Sequence, residues 1–82
     1  MESGEIKAKI KQVVGGMFDM EVEAVQDSKP FTQMAKYDSM RALEFLAKLE
    51  NEFGVIIDPD LLQKMQTVEK SAEVIGELLH AG

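Results

Sequence analysis

Ser39 is the strongest candidate in this sequence for a residue that takes part in covalent chemistry, because it follows Asp38 directly and lies at the start of an amphipathic stretch. A serine hydroxyl becomes a nucleophile when a neighbouring base takes its proton. The one histidine, His80, is distant in sequence, and the chain has no cysteine. We therefore expect no catalytic residue and no metal site within the chain. Serine and aspartate also favour the N-cap of a helix, so plain capping is the alternative interpretation of both residues.

The length, composition and charge of the chain limit its possible functions. Its 82 residues predict one domain, residues 1–82, and a content of 45% apolar and 29% charged residues is typical of a soluble globular protein. A net charge of −6 disfavours nucleic acid as a partner and favours a basic protein. The longest apolar run is Val55-Ile56-Ile57, and residues 1–6 lack the features of a secretory signal. We expect a cytoplasmic protein that does not insert into membranes.

The element that would position Ser39 is the clearest helix in the sequence, over residues 40–53. Its predicted core positions lie on one face of the helix; they are Ala42, Phe45, Leu46, Leu49 and Phe53. Leu43 and Ala47 are expected to widen this apolar face. The opposite face carries the charged residues Arg41, Glu44, Lys48 and Glu52. Asp38 or Ser39 is expected to cap this helix, and Gly54 to end it.

Two other long helices show the same periodicity. Helix 1 is predicted over about residues 4–16, with Gly15-Gly16 near its end; its apolar positions are Ile6, Ile10, Val13, Val14 and Met17. Thr67 is expected to cap the last helix, whose apolar positions are Val68, Ala72, Ile75 and Leu79.

The connecting segments complete the predicted fold. Residues 18–38 form a long loop that we expect to contain a short helical turn, with core contacts from Val22, Val25, Phe31 and Met34. Val55-Ile56-Ile57 is interpreted as a buried connector, and Asp58-Pro59 as the start of a helix of one to two turns. The predicted fold class is all-α: a small four-helix bundle of three long helices and one short helix, with the long loop between helices 1 and 2.

Five landmarks around Ser39 occur in a characteristic order. They are Asp38-Ser39-Met40, Glu44, Glu52-Phe53-Gly54, the acidic short helix from Asp58 to Met65, and Thr67-Val68. This set resembles the acyl carrier protein family, including the peptidyl carrier domains of peptide synthetases, over about residues 31–79. Helix 1 also fits that family in position and polarity.

The resemblance implies that Ser39 Oγ is the attachment point of 4′-phosphopantetheine, transferred from coenzyme A by a separate phosphopantetheinyl transferase, with Asp38 in a supporting role. The arm's thiol would hold acyl or aminoacyl groups as thioesters for loading and synthase enzymes, so the chain itself is not expected to be an enzyme. A monomer is expected. The residues expected to contact partners are Met40, Arg41, Glu44, Lys48 and Glu52, although packing on the helix start or rim is the favoured interpretation of Met40.

The sequence also departs from the family pattern near the motif. Met40 stands where leucine is usual, Ala35-Lys36 replaces a Leu-Gly pair, and Tyr37 immediately precedes the Asp-Ser motif. Arg41 and Lys48 dilute the acidity of the expected contact face. We interpret these departures as those of a specialised rather than a housekeeping carrier, acting in fatty-acid, polyketide or nonribosomal-peptide-type synthesis.

A non-covalent adapter is the alternative hypothesis. Residues 38–82 carry four basic and nine acidic side chains, and this acidic half could bind a basic protein while Ser39 only caps its helix. Partner binding that survives Ser39→Ala but is lost on reversing the charges of Glu44 and Glu52 would favour the adapter.

Overall fold

A computed structural model describes residues 2–34 and 36–81 and confirms the all-α fold class. The three predicted long helices are α1 (Ser3–Phe18), α2 (Ser39–Phe53) and α3 (Val68–Ala81), and the short helix is the 3₁₀ helix Pro59–Lys64. Two 3₁₀ turns, Val22–Ala24 and Phe31–Gln33, lie in the connection between α1 and α2. None of the helices in the described ranges combines the length and apolar character needed to cross a membrane.

The first helix organises the bundle, because α1 packs against both α2 and α3. The 3₁₀ helix Pro59–Lys64 packs against α2 and α3 in turn. The predicted stripes of α1 and α3 are confirmed as core, with buried side chains at Ile6, Ile10, Val14, Val68, Ala72 and Ile75. The remaining predicted positions of these stripes, Val13, Met17 and Leu79, pack against that core partly buried.

The end of α1 differs from the prediction. The helix continues past Gly15-Gly16 to Phe18, and the left-handed residue that follows is Asp19, with φ 54°. Aspartate tolerates this conformation because its short side chain can form local hydrogen bonds. A Cβ on Gly15 would lie 2.7 Å from the backbone oxygen of Met20. The missing side chain at Gly15 therefore permits a close approach of the returning chain; it does not end the helix.

The predicted core face of α2 is confirmed at Ala42, Phe45, Leu46, Leu49 and Phe53, which are all buried. The widening of that face is wrong, because Ala47 is exposed and Leu43 is 56% exposed. Neighbouring elements cover one arc of the helix, and these two side chains lie outside that arc. Gly54 ends α2 in the left-handed conformation, with φ 64°, as predicted.

The connections agree only partly with the predictions. Val25, Phe31 and Met34 are buried, whereas Val22 lies outside the buried core, so its predicted core contact is wrong. The buried connector is also only partly confirmed: Ile57 is buried, but Ile56 is 87% exposed. Successive side chains of an extended segment point to opposite sides, so burying one neighbour turns the other outward.

Side-chain oxygens cap the later helices as the sequence predicts. Asp58 Oδ1 accepts from the Asp60 backbone N–H at 2.9 Å, and Pro59 is the first residue of the 3₁₀ helix. Thr67 Oγ1 accepts from the Lys70 backbone N–H at 3.0 Å at the start of α3. These caps fix where the helices begin, and so the length of each connection.

Candidate functional site

Ser39 is the first residue of α2, and its side chain is exposed. Within residues 2–34 and 36–81, its hydroxyl takes part in no hydrogen bond. The position follows from the local sequence, since the apolar periodicity of α2 begins just after Ser39 and leaves the serine on the outside. An incoming electrophile therefore has access to Ser39 Oγ without breaking a contact.

Asp38 is the N-cap of α2. Its Oδ1 accepts a hydrogen bond from the Arg41 backbone N–H at 2.8 Å, and its backbone oxygen accepts from the Ala42 N–H at 3.0 Å. Asp38 has the extended backbone of a cap residue, with φ −154°. Of the two predicted candidates, Asp38 takes the capping role, and Ser39 is left free.

The first backbone N–H groups of α2 make this position suited to an anion. Ser39 and Met40 precede Ala42, the first donor in the intrahelical series, so helix geometry gives their N–H groups no acceptor in the preceding turn. These groups and the helix dipole favour a negative charge by about 0.3–1 kcal/mol at an exposed site. The residues present at this position therefore fit a phosphodiester on the Ser39 oxygen.

The segment before the motif anchors the site from the loop side. The ring of Tyr37 is half-buried against the core, and its backbone N–H donates to the Met34 oxygen at 3.1 Å. Met34 is itself buried, so the turn before Asp38 is held to the bundle. Lys36 is exposed. Ala35, one of the predicted departures from the family pattern, lies outside the described residues.

The predicted contact face is not equally available along its length. Met40 is 78% exposed, so the packed position favoured from the sequence is wrong and the side chain is open to a partner. Arg41 lies 3.5 Å from Glu44 in an ion pair within α2. Lys48 is exposed, whereas Glu52 pairs with Lys9 of α1 at 3.5 Å. The face therefore combines the open side chains of Met40 and Lys48 with two partly exposed ion pairs, Arg41–Glu44 near Ser39 and Lys9–Glu52 at the far end.

Sequence reasoning missed Leu43 as a candidate contact. Leu43 lies three residues after Met40, a spacing that brings the two side chains together on one side of a helix. Both are exposed, and together with Glu44 they form an apolar surface with an acidic edge beside Ser39. The sequence does contain a signal for this contact: the three-residue spacing places Leu43 on the same side of the helix as Met40, at the border of the core face.

Comparisons with known proteins show the family to which this chain is similar. The model of the family described as "Phosphopantetheine attachment site" matches residues 8–75. The acyl carrier protein of Thermosynechococcus vestitus is 30% identical over 81 residues, covering 99% of this chain and 100% of that protein. The acyl carrier protein of Petrotoga mobilis is 28% identical over 80 residues, covering 98% of this chain and 94% of that protein.

The solved structures also include a similar chain. The acyl carrier protein from Enterococcus faecalis superposes with a TM-score of 0.77 at 28% sequence identity, covering 95% of this chain and 99% of that one. The similarity therefore extends over the whole bundle and is not confined to the motif around Ser39.

Proposed function

Because this chain belongs to the phosphopantetheine attachment family, and within it to the acyl carrier proteins, we propose that Ser39 is the residue that bears its 4′-phosphopantetheine. Proteins of this kind carry the group covalently and are substrates of partner enzymes, so the chain is a carrier and not itself an enzyme. One observation carries the assignment: at the start of α2 the Ser39 hydroxyl is exposed and has no hydrogen-bond partner among residues 2–34 and 36–81, while Asp38 supplies the cap.

The attachment step uses the Ser39 oxygen as nucleophile. Ser39 Oγ forms a bond to phosphorus of coenzyme A, the pyrophosphate P–O bond breaks, and the adenosine bisphosphate leaves. The serine proton passes to a base of the transferase, since the chain offers no histidine near this position. The N–H groups of Ser39 and Met40, at the first turn of α2, would stabilise the charge of the phosphodiester. When bound, the group supplies a thiol that holds the cargo as a thioester.

We propose that Asp38 supports the step with the oxygen that does not cap. Oδ1 is taken by the Arg41 N–H, whereas Oδ2 accepts no hydrogen bond in the part of the chain that the structure describes. An exposed carboxylate oxygen next to the nucleophile could bind the Mg²⁺ of a transferase. Its charge would then help to hold the metal beside Ser39.

The proposed partner face begins at Met40 and continues along α2 through Arg41, Glu44, Lys48 and Glu52. We add Leu43, because its exposure supplies the apolar contact that charged rims surround in protein interfaces. Arg41 and Lys48 make the face mixed in charge, which supports a specialised carrier with selected partners. We further propose that residues 1–82 act as one domain, as a monomer in the cytoplasm.

The experiment is a loading assay with intact-mass detection. The protein is incubated with a broad-specificity transferase, Mg²⁺ and coenzyme A, and the mass is expected to rise by one phosphopantetheinyl group. Ser39→Ala should abolish the gain. Ser3→Ala is the matched control, because Ser3 is also an exposed serine at the first position of an α helix, α1, and its loss should leave the gain unchanged.

The adapter hypothesis gives the opposite result in the same assay. No mass gain, or a gain that persists in Ser39→Ala, would overturn the assignment. A chain that binds a basic protein equally well with and without Ser39 would then act through its acidic surface alone.

A further inference from the structure

The sulfur atoms of this chain all belong to methionines, since the sequence has no cysteine. Among the methionines of residues 2–34 and 36–81, Met40 alone is exposed, with 78% of its surface open to solvent. The other four are protected by packing: Met34 and Met65 are 8% and 1% exposed, and Met17 and Met20 pack against the core partly buried. An oxidant in solvent therefore reaches the Met40 thioether more easily than any of these four.

The exposed thioether lies beside the attachment point, because Met40 directly follows Ser39 at the start of α2. Long side chains of an α-helix lean toward its N-terminus, which for Met40 is the end that carries Ser39. Leu43, three residues further on, is also exposed and shares this side of the helix. A change in polarity at the Met40 sulfur therefore changes the apolar surface that borders Ser39.

We propose that Met40 is a site of reversible oxidation by hydrogen peroxide, and that its oxidation slows the enzymes that act on Ser39. The sulfur lone pair attacks one oxygen of the peroxide and the O–O bond breaks. The departing hydroxide takes the proton of the transferred hydroxyl, which leaves methionine sulfoxide and water. A thiol-dependent methionine sulfoxide reductase restores the thioether. The effect on enzymes rests on the proposed attachment at Ser39, whereas the site of oxidation does not.

The effect on enzymes follows from the polarity of the product. Oxidation replaces a flexible apolar side chain by a polar one. A sulfoxide that is buried in an interface without a hydrogen-bond partner loses its hydration, and this loss opposes docking. We therefore expect loading by the transferase to slow by about three- to tenfold. Leucine, the usual residue at this position of the family pattern, has no sulfur and cannot undergo this change.

The first measurement locates the oxidation on the full chain before the arm is attached. The protein is treated with dilute hydrogen peroxide for increasing times, the peroxide is removed, and the tryptic peptides are weighed. Trypsin releases residues 37–41 with Met40 as their one methionine, whereas residues 12–36 and 65–70 contain the four protected methionines. Residues 37–41 should gain an oxygen atom first. In urea, where the fold no longer protects any side chain, the rates per methionine should converge.

The second measurement is the initial rate of mass gain with a transferase, Mg²⁺ and coenzyme A, before and after peroxide treatment. The treated native protein should load more slowly, and methionine sulfoxide reductase with a thiol should restore its rate. Met40→Leu should load at the same rate before and after treatment, whatever that rate is. Met20→Leu is the matched control, because it removes a partly buried methionine and keeps Met40. It should respond to peroxide as the native protein does.

Each part of the inference has an outcome that would overturn it. Oxidation of residues 12–36 or 65–70 as fast as residues 37–41 would overturn the assignment to Met40. Selective oxidation of Met40 with an unchanged loading rate, or slowing that persists in Met40→Leu, would overturn its effect on the enzymes. Failure of the untreated protein to load would instead overturn the attachment at Ser39, and the order of oxidation among the peptides would still test the site.

Discussion

Asp38 Oδ1 accepts a hydrogen bond of 2.8 Å from the Arg41 backbone N–H, and this contact gives the two polar residues at the start of α2 different tasks. Asp38 satisfies the helix end, so the Ser39 hydroxyl is not needed for capping. A serine that capped the helix would lose that hydrogen bond on modification. With the cap on its neighbour, modification of Ser39 would leave the capping hydrogen bond of Asp38 in place.

Replacing Asp38 should separate capping from transfer. Asp38→Asn keeps a capping oxygen, so its free energy of unfolding should stay near that of the native protein. Asp38→Ala removes the cap and should lower the free energy of unfolding by about 1 kcal/mol. Both variants should be loaded more slowly than the native protein, since both remove the carboxylate charge beside Ser39. Urea unfolding and the rate of mass gain give the two measurements.

Asp58→Ala is the control for this pair, because Asp58 also caps a helix but does so at the start of Pro59–Lys64. It should lower stability without changing the loading rate. Normal loading of Asp38→Asn would show that Asp38 serves the helix alone.

The two adjacent glycines of α1 should respond oppositely to alanine. A Cβ on Gly15 would lie 2.7 Å from the Met20 backbone oxygen, so Gly15→Ala should cost about 1–3 kcal/mol through forced backbone movement. Gly16 has no atom within 4 Å of the corresponding position. Gly16→Ala should therefore stabilise the helix by about 0.5–1 kcal/mol. Urea unfolding measures the change in the free energy of unfolding for each variant. Equal changes in the two variants would contradict the close approach of the Met20 oxygen to Gly15.

An ion-pair cluster should make stability depend on acid pH. The Lys11 side chain, hydrogen-bonded to Asp27, and the nearby charge of Lys7 hold the pKa of the Asp27 carboxyl below its usual value of 3.8. A carboxyl with a depressed folded-state pKa contributes stability above pH 3.8, and the contribution disappears as the pH falls through the lower folded-state value. Because these side chains are partly exposed, the contribution is at most about 1 kcal/mol.

Asp27→Asn should therefore be less stable than the native protein at pH 7, and the difference should shrink as the pH falls below 3.8. Urea midpoints across an acidic series measure this convergence, and added salt should also narrow the gap at pH 7. Asp60→Asn is the control, since Asp60 forms no ion pair with any residue of the described ranges. If the stability difference between Asp27→Asn and the native protein stayed constant with pH, the substitution would act through packing and not through charge.

The sequence predicts the parts of this fold that depend on local chemistry. The buried face of α2 follows from apolar residues at helical spacing, and the caps at Asp38, Asp58 and Thr67 follow from short polar side chains at helix starts. The exposed hydroxyl of Ser39 is a consequence of the same two patterns. These features need no knowledge of distant contacts.

The features that the sequence did not predict depend on what packs against each residue. Leu43 and Met40 are as apolar as core residues, but they are exposed, and no element of residues 2–34 and 36–81 buries their side of α2. Glycine is typical of a helix end, but Gly15 lies within α1, where its missing Cβ leaves space for the Met20 backbone oxygen. Periodicity predicts which residues share a face of a helix. It does not predict how much of the helix surface is covered by the rest of the chain.

Reversing one charge beside Ser39 should weaken partner recognition. Glu44→Lys places a positive charge at the edge of the Met40–Leu43 surface and should slow loading by the transferase, because charges at an interface rim mainly control association. The slowing should be greatest at low salt and decrease as salt is added. Initial rates of mass gain at several salt concentrations measure both effects, with urea unfolding as the check on folding.

Glu73→Lys is the matched control, because it makes the same change in net charge at an exposed position of α3. It should leave loading nearly unchanged, since Glu73 belongs to α3 and Ser39 to the start of α2. Equal slowing by both variants would show that the transferase responds to the overall charge of the carrier. Slowing confined to Glu44→Lys would locate recognition on the part of α2 that follows Ser39, where the exposed apolar side chains lie.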